Sequence, residues 1–177
     1  MGGMPTTESR PPLAWAAPVA AVLAALVVAV PVAALSGAVA PVVIGDAGPL
    51  VRWGLVLLKV VHHVAMALTV GLLVVAAFLV REGPTTQRRA TAGRLAALAA
   101  GLWALSAAGI LVLGFGDLAG LQPGAPGYVG QLLANTWGLE LMRLRALKML
   151  LVAALVPLAA VARTRCALAW ASALALV

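Results

Sequence analysis

Between Leu50 and Val80 the side chains are almost wholly apolar. The run of about 30 residues exceeds the roughly 20 helical residues that cross a bilayer core. Within lipid, backbone polar groups must find partners inside the chain, so a spanning segment is a helix or part of a closed barrel. Unbroken apolar character without alternation selects the helix. Similar runs occupy about Leu13–Leu35, Gly93–Phe115 and Thr136–Ala162, and another begins at Cys166. Hydrophobic residues make up 64% of the 177-residue chain, charged residues only 10%, and mean hydropathy is +1.10. A soluble domain carries more than twice that share of charge. The expected fold is therefore all-α: a polytopic transmembrane helical bundle of four complete helices plus a truncated fifth.

Punctuation marks off the elements. Residues 1–12 read as a cytoplasmic tail and 13–177 as the membrane domain. The first helix carries Pro18 and Pro31. Ala38-Val39-Ala40 after it resembles a signal-peptidase site, but the apolar stretch exceeds the usual signal core, which favours an uncleaved helix. Gly48-Pro49 sets the start of the second helix and Arg81-Glu82-Gly83-Pro84 its stop, with Arg52 and Trp53 suited to an interfacial anchor. At 1.5 Å per residue that helix is about 46 Å long, so its surplus must tilt or protrude. The third helix repeats small residues at four-residue spacing (Ala97, Gly101; Ala100, Ala104, Ala108), a pattern for close packing. From Gly116 to Asn135 a Gly/Pro-rich connector is expected before the fourth helix at Thr136–Ala162. A chain that ends inside an apolar run is expected to be part of a larger protein.

The net charge of +7 resides at helix ends, where it meets lipid and orients the chain, which speaks against nucleic-acid binding. Arg81, Arg88, Arg89 and Arg94 lie in one connector, Arg163 and Arg165 in another; the remaining two carry Asp46 and Asp117. The positive-inside rule then makes the N-terminus cytoplasmic and both acidic connectors external. The richness in Ala, Val, Leu, Gly and Arg, with few Lys, points to a high-GC bacterial genome. The single cysteine, Cys166, excludes an internal disulfide and reads as a small apolar residue.

His62 and His63 lie inside the second helix. Ionisable groups there are costly and mark functional sites by default. Lys59 and Met66 lie one turn to either side, so His62 stacks on Met66 and Lys59 on His63. Adjacent rings point about 100° apart, so one is expected to face the bundle and the other a neighbouring helix or headgroups. Counting inward from the helix ends puts this stripe level with Arg143, Arg145, Lys148 and Met149 of the fourth helix. There Met142, Arg145 and Met149 share a face, and Glu140 is spaced to pair with Arg143. Imidazole and thioether form a soft donor set suited to copper, so the candidate metal residues are His62, His63, Met66, Met142 and Met149. Against this stand the bland readings: snorkelling cations, methionine as core filler, histidine as an interhelical hydrogen-bonder. No phosphate loop, HExxH or activated nucleophile is present, so no enzyme is expected. With both histidines on one helix, bis-histidine haem ligation within these residues is excluded.

Arg52-Trp53-Gly54-Leu55, Lys59-Val60-Val61-His62-His63-Val64-Ala65, Thr69-Val70-Gly71-Leu72-Leu73 and Phe78-Leu79-Val80 together resemble the N-terminal helices of bacterial copper-resistance D (CopD) proteins. The likeness is to the form fused to a cytochrome-oxidase assembly domain. Asn135-Thr136-Trp137-Gly138 with Arg143, Arg145 and Lys148 is similar to that family's Thr-aromatic-Gly helix start followed by a basic residue. The resemblance covers about Leu50–Ala162 and implies copper transport or homeostasis in the bacterial plasma (inner) membrane, with copper accepted from the extracytoplasmic side, His62 the position carried over and His63 its neighbour. Copper, the bilayer and a respiratory oxidase or its assembly factors are the partners it implies. The rival expectation is an accessory or assembly subunit of an oxidase without transport activity. A further rival is a membrane redox module that holds haem with later helices.

Overall fold

The computed structural model describes residues 16–41, 45–79, 86–161 and 165–175. Every regular element among them is helical: α1 (Ala16–Leu35), α2 (Pro49–Val74) running into a π-helical turn (Val75–Leu79), α3 (Thr86–Ala119), α4 (Tyr128–Gly138), α5 (Glu140–Val161) and α6 (Arg165–Ala175). Three stretches, Pro49–Phe78, Ala90–Ala119 and Glu140–Val161, are long and apolar enough to cross a membrane. The apolar part of α1, Val22–Leu35, is shorter than that. Four expected features lie outside the described residues: the tail, the helix start at Leu13, the stop at Arg81–Pro84, and Arg163 with Thr164. The side chain of Cys166 is likewise not described.

Several boundaries differ from the sequence expectation. The third helix is longer at both ends, and Gly116 and Asp117 belong to it. The expected connector Gly116–Asn135 shrinks to 120–127, because α4 fills its second half. Asn135–Gly138 ends α4 and does not open the spanning helix, which starts at Glu140 after extended Leu139 (φ −102°, ψ 124°). Gly138 and the β-region backbone of Leu139 break what hydropathy alone reads as one run.

α2 and α3 are antiparallel and in register. Val51 lies against Gly116, Leu113 against Gly54, Leu58 against Gly109, and His62 against Ser106. A Cβ on Gly54 would come within 2.6 Å of Leu113 Cδ1, and one on Gly109 within 2.7 Å of Leu58 Cδ1. These two glycines let the helices approach. Of the expected small-residue stripe, Ala100 is buried in the main core and Ala97 and Ala104 pack against it, while Gly101 has open space around it. α5 packs on α3, with Arg145 against Gly114 near one end. Ala100, Val152 and Leu155 share the main core with Ala65 and Leu73 of α2 and with Leu168 and Ala171 of α6. Outward-facing Leu98, Leu102 and Leu105 of α3 are exposed, as lipid-facing side chains should be in a membrane bundle.

The end of the bundle that bears α4 is closed by backbone contacts. Gly120 (φ +64°) lies on Gly45 (φ +74°), and a Cβ at 120 would stand 2.7 Å from Gly45 Cα. The Tyr128 hydroxyl donates to the Val112 carbonyl (2.6 Å), and its ring meets Phe115 edge-on at 5.3 Å. Burial pushes the Tyr128 phenol up, so it remains a donor. Before α2, Asp46 accepts from the Gly48 N–H (2.8 Å) and forms an ion pair with Arg52. Hydrogen bonds from Arg52, then from Gly48, hold the Asp46 carboxyl below its ordinary value of 3.8. A lowered folded-state value means the contribution is complete above that ordinary value and is lost as pH falls through the lowered one. Thermal unfolding in detergent from about pH 6 to about pH 2.5 should therefore lose stability at the acid end, and Asp46→Asn should flatten that loss.

Candidate functional site

Among the described residues the buried polar side chains are His62, Thr69, Ser106, Thr136 and Ser172. Thr69 donates to the Ala65 carbonyl, Thr136 to Leu132 and Ser172 to Ala169, each within its own helix. Such back-bonding satisfies a hydroxyl without creating a site. His62 and Ser106 differ: they meet across the α2–α3 interface, together with Trp103.

The donor inventory determines the direction of each bond. Indole N–H can only donate, so Trp103 Nε1 (3.1 Å) makes His62 Nε2 an acceptor. The neutral ring then carries its proton on Nδ1, which donates to Ser106 Oγ at 3.3 Å. Ser106 in turn donates to the Trp103 carbonyl at 2.8 Å. The chain of bonds is closed, and both ring nitrogens of His62 are committed. The Trp103 ring stands edge-on to His62, centroids 6.0 Å apart.

His63 is arranged differently. It is exposed, and its Nδ1 lies 2.6 Å from the Lys59 carbonyl of the preceding turn. A carbonyl only accepts, so His63 also carries its proton on Nδ1. Among the described residues its Nε2 has no hydrogen-bond partner, and the residue is exposed. The two rings are nearly perpendicular, with centroids 5.6 Å apart, and the side chains leave the helix about 100° apart.

The sulfur donors are not gathered. Met66 packs beside the main core of α2, α3, α5 and α6. Met142, fully buried, and Met149 belong to a separate cluster with Leu111, Phe115 and Tyr128. Among the described residues no three of His, Cys, Asp and Glu come together. The Arg145 guanidinium does not share the single level expected for the polar residues. Arg145 lies opposite Gly114, level with Gly54 of α2, two turns or about 12 Å from His62. Lys148, one turn along, is the α5 cation whose charge reaches His62. Among the described residues the ion pair is Asp46–Arg52; Glu140 and Arg143 do not form one, although their spacing allows it.

Sequence reasoning assigned the third helix to packing alone and so missed Trp103 and Ser106. A usable signal existed: they are three residues apart on one helical face, and a buried indole N–H needs an acceptor. No family model matches the chain, and neither a curated protein nor a solved structure does.

Proposed function

We propose that this chain handles copper in the bacterial inner membrane, with its N-terminus cytoplasmic and the α4 end facing outward. The observation that carries this reading is the unpartnered Nε2 of exposed His63, held in one tautomer by the Lys59 carbonyl. Metal-bound histidines characteristically donate their other ring N–H to an oxygen, which fixes the ring and raises its basicity. Imidazole with thioether is a donor set for copper, and Met66 follows one turn later. In this reading His63 receives the ion, which is cargo. His62, which the family likeness singles out, orients α2 against α3 and offers Nε2 only if the Trp103 bond opens. Met142 and Met149 form a second sulfur-bearing station in the α5 cluster. Arg145 and Lys148 repel the ion and shape its surroundings.

Cells carrying His63→Ala, at matched expression, should show altered copper-dependent growth and about tenfold or more weaker copper retention by the purified protein. Met66→Leu should do the same to a smaller extent. Unchanged copper content in both variants sinks the reading. Copper-independent co-purification with a respiratory oxidase would support an accessory or assembly role without transport.

A further inference from the structure

α4 has 11 residues, too few to cross a membrane. One face is anchored: Tyr128 is buried on Phe115, and Leu132 and Thr136 lie against the same side. A face about 100° around the helix presents Val129, Leu133 and Trp137, at four-residue intervals and 65%, 64% and 60% exposed. An apolar stripe ending in tryptophan, on a short helix at the end of spanning helices, suits the boundary between headgroups and acyl chains.

The chain then turns at Leu139 into the first turns of α5, which carry Arg143, Arg145 and Lys148 against the one carboxylate of Glu140. None of the three cations is in an ion pair among the described residues. Arg145 lies against α3 where Gly114 leaves room, and its Nη1 is buried without an acceptor. A buried guanidinium N–H lacking an acceptor is costly; Arg145 as a whole is half-buried, so a turn of its guanidinium would bring it to an anionic oxygen from outside the chain. Guanidinium geometry matches phosphate.

We propose that the α4–α5 corner is a seat for one anionic phospholipid of the adjoining leaflet. Its phosphate is received by Arg145 with Lys148, one turn along on the same side of α5, at the rim, and its acyl chains lie along Val129, Leu133 and Trp137. Charge complementarity selects an anionic headgroup, and the apolar stripe selects a lipid over free phosphate. The seat does not depend on the copper reading.

The test is native mass spectrometry of the full chain in detergent with equal amounts of phosphatidylglycerol and phosphatidylcholine bearing the same acyl chains. Wild type should retain phosphatidylglycerol by about fivefold over phosphatidylcholine, Arg145→Gln should bring the two near parity, and Arg145→Lys should keep most of the preference. If Arg145→Gln does not fold, Lys148→Gln, at an exposed position on the same side of α5, should also narrow the preference. Brominated phosphatidylglycerol should quench tryptophan fluorescence, and Trp137→Phe should remove the largest share of the quenched signal. Equal retention of both lipids by wild type, or a preference indifferent to these substitutions, overturns the proposal. So does displacement of the lipid by millimolar inorganic phosphate.

Discussion

Gly120→Val should lower the stability of the protein in detergent by about 2–4 kcal/mol, read from unfolding by SDS titration or heat. Two independent costs meet at this position. Its φ of +64° lies in the left-handed region, which a β-branched residue enters only with strain of about 1–3 kcal/mol. The space is also taken: an added Cβ would lie 2.7 Å from both Cα and O of Gly45. Both contacts are with backbone, so no side chain can swing aside, and the turn before α2 would have to part from the end of α3. Gly120→Ala should lose less, about 1–2 kcal/mol. Gly101→Ala is the control, because that helical glycine has open space and ordinary φ; it should leave stability unchanged or raise it by about 0.5–1 kcal/mol. Equal behaviour at 120 and 101 would show that the Gly45–Gly120 contact does not hold the two connectors together.

That contact illustrates what could and could not be foreseen. The all-helical character follows from composition and run length, and the start of α2 at Pro49 follows from Gly48-Pro49, since both act locally on the backbone. The end of α3 was missed because hydropathy falls at Gly116 and Asp117 while the helix continues to Ala119. There the chain bends only where Gly120 meets Gly45, and no single-chain pattern encodes a contact between residues 75 positions apart. α4 was hidden by the glycines and prolines before it. Its Val129–Leu133–Trp137 period was legible, but the period alone does not separate a surface helix from the start of a spanning one. At the site, the hundred-degree offset of the two histidines correctly anticipated one inward and one outward ring. Which ring had a free nitrogen was not legible, because that depends on Trp103 and Ser106, 41 and 44 residues away.

His62→Leu should destabilise the α2–α3 pair by about 1–3 kcal/mol, because it leaves the Trp103 indole N–H without an acceptor inside the bundle. Trp103→Phe keeps an aromatic ring there and deletes one donor, and should cost about 0.6–1.7 kcal/mol, the range of interhelical hydrogen bonds in membranes. Ser106→Ala leaves the His62 Nδ1–H without its acceptor while the indole bond survives, and by the same reasoning should cost about 1–3 kcal/mol. Because the three residues form one closed sequence of donors and acceptors, the costs should not add. His62→Leu/Trp103→Phe should cost less than the separate effects combined, as deletion of both partners removes the unsatisfied N–H. Strict additivity would mean that the bond contributes nothing. The same variants separate support from cargo binding. Trp103→Phe frees His62 Nε2 and leaves His63 untouched, so if copper contacts His63 first, retention of the ion should survive that change and fail in His63→Ala. The opposite pattern, with copper retention lost on freeing His62 and preserved without His63, would move the ligand to the inner ring.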